Sequence, residues 1–254
     1  MIEFNFNNKT AIISGGGTGI GFQSARLFLK SKANVIITGR RKKILQSAQS
    51  SLLTEFPEHE DNLVIFDGDM SNEDFVASIF ENSIEQFKSV NILVNNCASW
   101  VLDSIEDLEI TSINEQLNNG FISTLIGTKY AAIKLEKGGS IINLSSFSSK
   151  IPMQNGSIYS SIKSAINTFT KSSASELAKN DIRVNSIIPG VIRTPMTSKY
   201  IDENYNKLIA PIALGRVGTC NEVANAILFL SSELSSYITG TTLEVSGGKY
   251  LTQI

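Results

Sequence analysis

The sequence predicts one α/β domain, residues 1–254, whose parallel β-sheet of about seven strands is flanked by helices on both faces. Two patterns lead to this prediction. Short runs rich in Ile, Val and Leu alternate with longer segments of helical periodicity along the whole chain. The short runs are continuously apolar, which indicates strands buried on both faces. Repeated strand–helix units joined by right-handed crossovers then give a Rossmann-like, doubly wound sheet.

The predicted strands are short runs dominated by β-branched and apolar residues. They are TAIIS (10–14), NVIIT (34–38), LVIFD (63–67), NILVN (91–95), SIINLS (140–145), RVNSII (183–188) and TLEVS (242–246). The predicted helices are 19–31, 40–55, 72–87, 111–136, 158–179 and 220–231, and the pattern SNED caps the third of them. The segment 194–214, with Pro195 and Pro211, is predicted to be a long polar connection that acts as a lid.

Composition and charge exclude several classes of function. The formal net charge is -2, so the chain has no strong field that would attract nucleic acid. The single histidine, His59, cannot supply a histidine metal site or a Ser-His triad, and Cys97 and Cys220 do not form a disulfide framework. No apolar run is long enough to cross a bilayer. We therefore expect a cytoplasmic protein that binds no metal, nucleic acid or membrane.

The stretch SGGGTGIG (14–21) follows the first predicted strand. It does not fit G-x-G-x-x-G, but Gly15, Gly19 and Gly21 fit G-x-x-x-G-x-G. These glycines would turn the chain off the strand, let backbone N–H groups approach a pyrophosphate, and let the helix pack on the sheet. The predicted cofactor contacts of this loop are Gly15, Gly17, Thr18, Gly19, Ile20 and Gly21. The alternative is a flexible strand–helix turn without a ligand.

The end of the second strand indicates which dinucleotide binds. Proteins that use NAD place Asp or Glu there, against the ribose 2′-hydroxyl. This chain has Gly39 followed by Arg40 and Arg41, which are suited to bind a 2′-phosphate. We therefore expect NADP(H) to be preferred over NAD(H), with Arg40 and Arg41 as contacts. The alternative is that the basic run is only the solvated start of a helix.

Two hydroxyl groups and one amine indicate acid–base chemistry. Tyr159 and Lys163 are four residues apart, so they share one face of a helix. A nearby ammonium favours the phenolate and lowers the pKa of the tyrosine, which then exchanges a proton with a carbonyl or alcohol oxygen. Ser146, at the end of the fifth strand, would hydrogen-bond the same oxygen. Taken alone, a Tyr-x-x-x-Lys pair often occurs by chance on an amphipathic helix.

Together these features resemble the short-chain dehydrogenase/reductase family, in its single-domain branch, over essentially the whole chain. SGGGTGIG is similar to that family's T-G-x-x-x-G-I-G, with Ser14 in place of Thr. Ser146, Tyr159 and Lys163 show the family's S-x12-Y-x3-K spacing. NNCA (95–98) is similar to N-N-A-G, and SGG (246–248) to D-G-G. DGDMS (67–71) and IPGVIRTPM (188–196) are similar to segments that contact the adenine ring and the nicotinamide.

The resemblance implies a role for each of these residues. Tyr159 would be the general acid/base, Lys163 would bind the nicotinamide ribose and lower the pKa of Tyr159, and Ser146 would position the substrate oxygen. The other implied cofactor contacts are Asp69, Met70, Asn95, Asn96, Pro189, Gly190, Ile192 and Thr194. The family also implies a homotetramer or homodimer and a small-molecule carbonyl or alcohol as substrate.

The family's fourth catalytic residue, an Asn after the fourth strand, is ambiguous in this chain. The commonest spacing back from Ser146 selects Asn118. Alignment on Ile126 to Lys129 instead places Gly120 there, with Asn119 just before it. Asn118 is therefore a candidate catalytic residue, and Asn119 and replacement by Gly120 are the alternatives.

The substrate end of the site is predicted less sharply. The residues expected there are Ser99, Trp100, Val101, Phe147, Ser148, Met153 and the segment 194–214. They do not choose among acyl, steroid, sugar or polyol substrates. The sequence leaves two other classes of function open, which are a cofactor-binding regulator without turnover and a methyltransferase. The second requires an acidic residue at the end of the second strand, where this chain has Gly39 and Arg40.

Overall fold

The computed structural model describes residues 4–251, which contain nine β-strands. In chain order they are β1 (Thr10–Ser14), β2 (Asn34–Gly39), β3 (Leu63–Asp67), β4 (Val90–Asn95), β5 (Leu135–Leu144), β6 (Arg183–Pro189), β7 (Ile192–Arg193), β8 (Gly218–Thr219) and β9 (Thr242–Val245). Seven strands form one sheet in the order β3-β2-β1-β4-β5-β6-β9, and every neighbouring pair is parallel. The predicted fold class is confirmed.

Helices cover both faces of this sheet. They are α1 (Gly19–Lys30), α2 (Lys42–Glu55), α3 (Glu73–Phe87), α4 (Ile110–Leu117), α5 (Ser123–Lys134), α6 (Ser157–Leu177), α7 (Ser198–Ile209) and α8 (Cys220–Ser231). Consecutive residues of a strand pack against helices on opposite faces of the sheet. Ile13 packs with α1, α2 and α8, while Ile12 packs with α3. This explains why the strands are continuously apolar. Within residues 4–251, no helix has the length and hydropathy to span a membrane.

Sequence periodicity missed the elements between β6 and α8. Residues 194–214 were expected to be a polar connection, but they contain the twelve-residue helix α7. Ile201, Tyr205 and Leu208 recur at helical spacing along this helix, but its polar composition and the two flanking prolines favoured a connection over a helix. The two-residue strands β7 and β8 pair in parallel with each other and are too short to give a pattern.

The helix predicted over 111–136 is divided in two. A π-helical turn, Asn118–Ile122, lies between α4 and α5, and the chain enters β5 already at Leu135. The hydroxyls of Ser123 and Thr124 donate to the carbonyls of Asn119 and Gly120 at 2.8 and 2.9 Å. These bonds supply partners for carbonyls in the widened turn.

The sheet order fixes where a ligand can bind. β1 pairs with β2 on one side and with β4 on the other, so the order of the strands reverses at β1. In a doubly wound sheet, the carboxyl ends of strands at such a switch point form a crevice. The glycine-rich loop follows β1 and therefore lies at this crevice.

Candidate active site

A cleft of about 610 Å³ opens at the carboxyl ends of the central strands. It is lined by Gly15 after β1, Asn96 after β4, Ser146 after β5 and Pro189 at the end of β6. Its volume lies in the range of ordinary small-molecule sites.

The loop between β1 and α1 requires glycine at several positions. Gly15 and Gly19 have positive φ angles of 64° and 59°, which residues with a side chain rarely adopt. A Cβ on Gly21 would lie 2.3 Å from the carbonyl oxygen of Gly15, and one on Gly16 would lie 2.6 Å from Cβ of Ile37. The loop is thus pressed against the sheet. The need for Gly16 was not predicted, because it arises from a neighbouring strand.

Ser14 and Asn96 fasten this loop to the end of β4. The Ser14 hydroxyl accepts from the backbone N–H groups of Asn96 and Cys97 at 2.9 and 3.2 Å. The Asn96 amide donates to the carbonyls of Ser14 and Gly15 at 3.0 and 3.2 Å. The N-cap of α1, Thr18, makes no side-chain capping bond. The first N–H groups of α1 therefore lie at the cleft as donors for an anion.

The end of β2 forms a second part of the cleft. Arg40 and Arg41 line it, and the buried hydroxyl oxygen of Thr38 has no hydrogen-bond partner among the described residues. The Arg40 guanidinium lies 3.9 Å from the Glu115 carboxylate, and both side chains are more than half exposed. Such an exposed pair is weak, so Arg40 is available to a ligand anion.

Ser146, Tyr159 and Lys163 line the same wall of the cleft. Tyr159 and Lys163 lie on α6, and the Lys163 ammonium is 5.7 Å from the centre of the Tyr159 ring. The Lys163 side chain is 2% exposed and donates to the Leu144 carbonyl at 2.6 Å. The Ser146 hydroxyl accepts from the backbone N–H of Ser148 at 3.2 Å, which fixes its direction. The structure therefore brings the three predicted groups together.

The electrostatics of this group differ from the expectation. Desolvation raises the pKa of the Tyr159 phenol, and the hydrogen bond with Ser146 acts in the opposite direction. Burial also lowers the pKa of Lys163 to about 8. The prediction that Lys163 lowers the pKa of Tyr159 is not supported, because the ammonium is directed to the Leu144 carbonyl and both groups have lost water.

Most predicted cofactor contacts line the cleft. They are Gly15, Gly17, Thr18, Gly19, Ile20, Arg40, Arg41, Asp69, Met70, Asn96, Tyr159, Lys163, Pro189, Gly190, Ile192 and Thr194. Gly21 lies behind the loop, where it permits close packing. Asn95 is only 3% exposed, and its amide donates to Asn143 and Thr128 at 2.9 and 3.2 Å. Asn95 therefore joins β4 to β5 and α5 instead of facing the cleft.

The structure corrects the choice of Asn118. Asn118 is exposed, whereas Asn119 is 7% exposed and lines the cleft. The Asn119 amide donates to the Ser99 hydroxyl at 2.7 Å. A Cβ on Gly120 would lie 2.9 Å from Cγ2 of Ile162 on α6. Gly120 thus permits close helix packing, and the π-helical turn, which the sequence did not predict, directs Asn119 inward.

The other end of the cleft is mainly apolar. The indole of Trp100 meets the ring of Tyr200 edge to face, with 5.4 Å between ring centres. Ser99, Trp100, Val101, Phe147, Ser148 and Met153 line the cleft as predicted. Tyr200, Ile201 and Leu208, from the predicted segment 194–214, also line it, and the residues that the sequence did not single out are Ile151 and Lys249. The three residues of that segment lie on α7, which was not predicted to be a helix.

Comparisons with known proteins identify the family. A family model described as Enoyl-(Acyl carrier protein) reductase matches residues 15–249. The chain is 34% identical over 248 residues to a 3-oxoacyl-(acyl-carrier-protein) reductase of Chlamydia trachomatis, with 95% of this chain and 97% of that protein covered. It is 34% identical over 246 residues to a 3alpha-hydroxysteroid dehydrogenase of Mediterraneibacter gnavus, with 94% and 96% covered.

A solved structure agrees with these relatives. The crystal structure of a short-chain dehydrogenase/reductase, described as a glucose/ribitol dehydrogenase, from Brucella melitensis superposes with a TM-score of 0.92 at 27% identity. The match covers 97% of this chain and 98% of that one. The chain therefore belongs to the short-chain dehydrogenase/reductase family.

Proposed function

We propose that this protein is an NADP(H)-dependent oxidoreductase that interconverts a carbonyl and an alcohol on a small molecule. The main support is that Ser146, Tyr159 and Lys163 share one cleft with the glycine loop. The relatives described above are a 3-oxoacyl reductase and a hydroxysteroid dehydrogenase, and both names describe oxidation or reduction between a carbonyl and a hydroxyl group.

The cleft fits a nicotinamide dinucleotide in its shape and its donors. Gly15, Gly19 and the uncapped start of α1 suit a pyrophosphate, because they offer backbone N–H groups without an intervening side chain. Thr194, from the segment after β6, lies 3.5 Å from the position of a Cβ on Gly19. The glycine loop and the segment assigned to the nicotinamide therefore face each other. A bound nicotinamide would supply or accept the hydride.

Arg40 and Arg41 are assigned to a 2′-phosphate, and they make NADP(H) the preferred cofactor. A guanidinium binds phosphate through paired, charge-assisted hydrogen bonds. Thr38 and Gly39 precede them on β2, and neither carries a carboxylate that would repel the phosphate. Thr38 also offers a buried hydroxyl with no partner in the described part of the chain.

The proton chemistry is assigned to Tyr159. During reduction, the substrate carbon gains a hydride, the carbonyl π pair moves to oxygen, and the Tyr159 hydroxyl delivers a proton to that oxygen. In the reverse direction, the phenolate removes the proton from the alcohol. The raised pKa of Tyr159 keeps the phenol protonated at neutral pH, and the strongly basic alkoxide oxygen that forms on the substrate drives the proton transfer. Ser146 hydrogen-bonds the same oxygen, and Lys163, on the same wall of the cleft, would bind the ribose of the nicotinamide.

A kinetic screen tests this proposal. The purified protein is mixed with NADPH or NADH and a panel of aldehydes, ketones and 3-oxo esters, and loss of the reduced cofactor is followed by absorbance. We expect carbonyl-dependent oxidation of NADPH that exceeds that of NADH. Tight binding of NADPH with no turnover of any carbonyl compound would favour a regulator without catalysis and would contradict the proposal.

A further inference from the structure

The short segment after β9 places a lysine in the cleft. Gly247 and Gly248 have φ angles of 66° and 75° and turn the chain back toward α7. The turned segment is held on both sides, since Ile212 forms an antiparallel bridge with Lys249 and the Tyr250 N–H donates to the Pro211 carbonyl at 2.8 Å. The backbone of Lys249 is therefore fixed, and its side chain lines the cleft.

Two aromatic rings hold the Lys249 ammonium. It lies 5.1 Å from the centre of the Phe147 ring and 5.5 Å from that of Tyr250. These two rings stack with their centres 6.0 Å apart. Cation–π contacts of this kind orient an ammonium without neutralising its charge. Phe147 directly follows Ser146 in the chain, and both residues line the same cleft as Lys249.

The charge of Lys249 is not balanced by the part of the chain that the structure describes. No carboxylate within residues 4–251 forms an ion pair with it. Glu244, on the preceding strand, is paired with Lys150. Burial lowers the pKa of Lys249, and no acidic group among the described residues opposes this shift. A partly desolvated cation with no counter-charge is costly, and an incoming anion would offset that cost.

Other charges in the cleft lie elsewhere. Arg40, Arg41 and Asp69 follow β2 and β3, at the end assigned to the nucleotide, and Lys163 donates to the Leu144 carbonyl. The substrate end is formed by apolar, aromatic and hydroxyl side chains together with Lys249. This end therefore offers one cation on an otherwise uncharged surface, which is the arrangement that selects an apolar compound with one acidic group.

We propose that the substrate is an oxo acid, or the matching hydroxy acid, whose anionic group pairs with the Lys249 ammonium while its carbonyl reacts at Tyr159. This proposal rests on the proposed function and narrows its substrate class. Lys249 is a specificity residue in this assignment, because it binds the remote acidic group and not the reacting atoms.

Matched pairs of compounds test the proposal. The probes are 4-oxopentanoate, 5-oxohexanoate and 6-oxoheptanoate, each paired with its methyl ester, and kcat/KM is measured for each with NADPH. We expect one or more acids to exceed their esters by roughly tenfold, as a hydrogen bond to a charged group predicts. Lys249→Met should remove this preference and Lys249→Arg should retain it. Lys207→Met, which removes an exposed charge from α7, should leave the acid-to-ester ratio unchanged.

Binding is measured separately from turnover. Trp100 is the only tryptophan of the chain and lines the cleft, so its fluorescence reports acids and esters that bind to the protein with NADP⁺. Equal binding of acid and ester, or an unchanged ratio in Lys249→Met, would overturn the role of Lys249 while the oxidoreductase proposal stands. If no acid or ester oxidises NADPH, the reaction is contradicted, and the fluorescence titration still decides whether Lys249 binds the anion.

Discussion

The two ends of the cleft are built in different ways. At the cofactor end, a single loop after β1 is shaped by glycine backbone angles and tied to β4 through Ser14 and Asn96. At the substrate end, Trp100, Tyr200 and Lys249 come from three segments that are far apart in sequence. The first end depends on local backbone geometry, and the second depends on tertiary assembly.

This difference would allow related proteins to keep one fold and differ in substrate. The backbone of the glycine loop leaves little freedom, because side chains at its tight positions would collide with the sheet or with the loop itself. The substrate end presents side chains on α7 and on connecting segments, which change without disturbing the central sheet. Variants at the two ends of the cleft, and at the proposed catalytic group, should therefore change different properties of the protein.

The largest effect is expected at the proposed catalytic group, Ser146, Tyr159 and Lys163. Tyr159→Phe removes the proton donor but keeps the ring, so kcat should fall by about 10³-fold while the affinity for NADPH is nearly unchanged. Tyr200→Phe is the matched control, since Tyr200 also lines the cleft and packs on Trp100. It should leave kcat within a few fold of the wild type. A kcat for Tyr159→Phe within tenfold of the wild-type value would remove Tyr159 from its role.

The proposed cofactor end should tolerate a larger side chain less well than the substrate end does. A Cβ on Gly21 would lie 2.3 Å from the backbone oxygen of Gly15, so Gly21→Ala should lower the free energy of unfolding by about 3 kcal/mol and weaken NADPH binding. Gly39→Ala is the control at the same end, because its nearest neighbour, Leu45, would be 3.7 Å away. Chemical denaturation measures both variants, and equal stability of the two would contradict the steric role of Gly21.

The catalytic group should carry a cost in stability. Burial depresses the pKa of Lys163 from 10.5 to about 8, so the folded state binds fewer protons than the unfolded state between these values. The penalty is complete below pH 8 and disappears as the pH rises toward 10.5. At pH 7, Lys163→Met should therefore be more stable than the wild type by about 2 kcal/mol, after allowing for the lost bond to Leu144.

The measurement is the change with pH in the stability difference between Lys163→Met and the wild type. Denaturation of the wild type and of Lys163→Met is compared at several pH values between 7 and 10.5, the range set by the two pKa values. The stability advantage of Lys163→Met should shrink as the pH rises. An advantage that is constant with pH would show that packing, and not the buried charge, is responsible.

A smaller effect is expected for the choice of cofactor. Arg40→Asp replaces the proposed 2′-phosphate ligand with a carboxylate and should reduce the NADPH-to-NADH ratio of kcat/KM by at least about tenfold. Lys43→Asp makes the same change of charge in the same basic run, but Lys43 does not line the cleft. Its ratio should stay near the wild-type value. A similar fall in both variants would indicate a general field and not a direct contact.

The sequence predicted the sheet, and the loop that follows β1, for a physical reason. Buried strands such as β1 and β4 are recognised by their continuous apolar runs. A glycine loop is recognised because its residues are contiguous in the sequence. The helix α7 was missed because its polar composition and flanking prolines outweighed the helical spacing of its few apolar residues. The inward position of Asn119 depends on a π-helical turn, and the position of Lys249 depends on a glycine turn and a bridge to Ile212. Neither the π-helical turn nor the glycine turn leaves a periodic pattern in the sequence.

The transfer of hydride itself is the most direct test of the proposed reaction. The protein is incubated with NADPH that carries deuterium at C4 of the nicotinamide, in separate samples for each of the two faces, and with a carbonyl compound that is reduced in the screen. We expect one sample to yield an alcohol with a single deuterium on the former carbonyl carbon, and Tyr159→Phe to yield almost none. An alcohol that contains no deuterium in either sample would contradict direct transfer from the cofactor to the substrate.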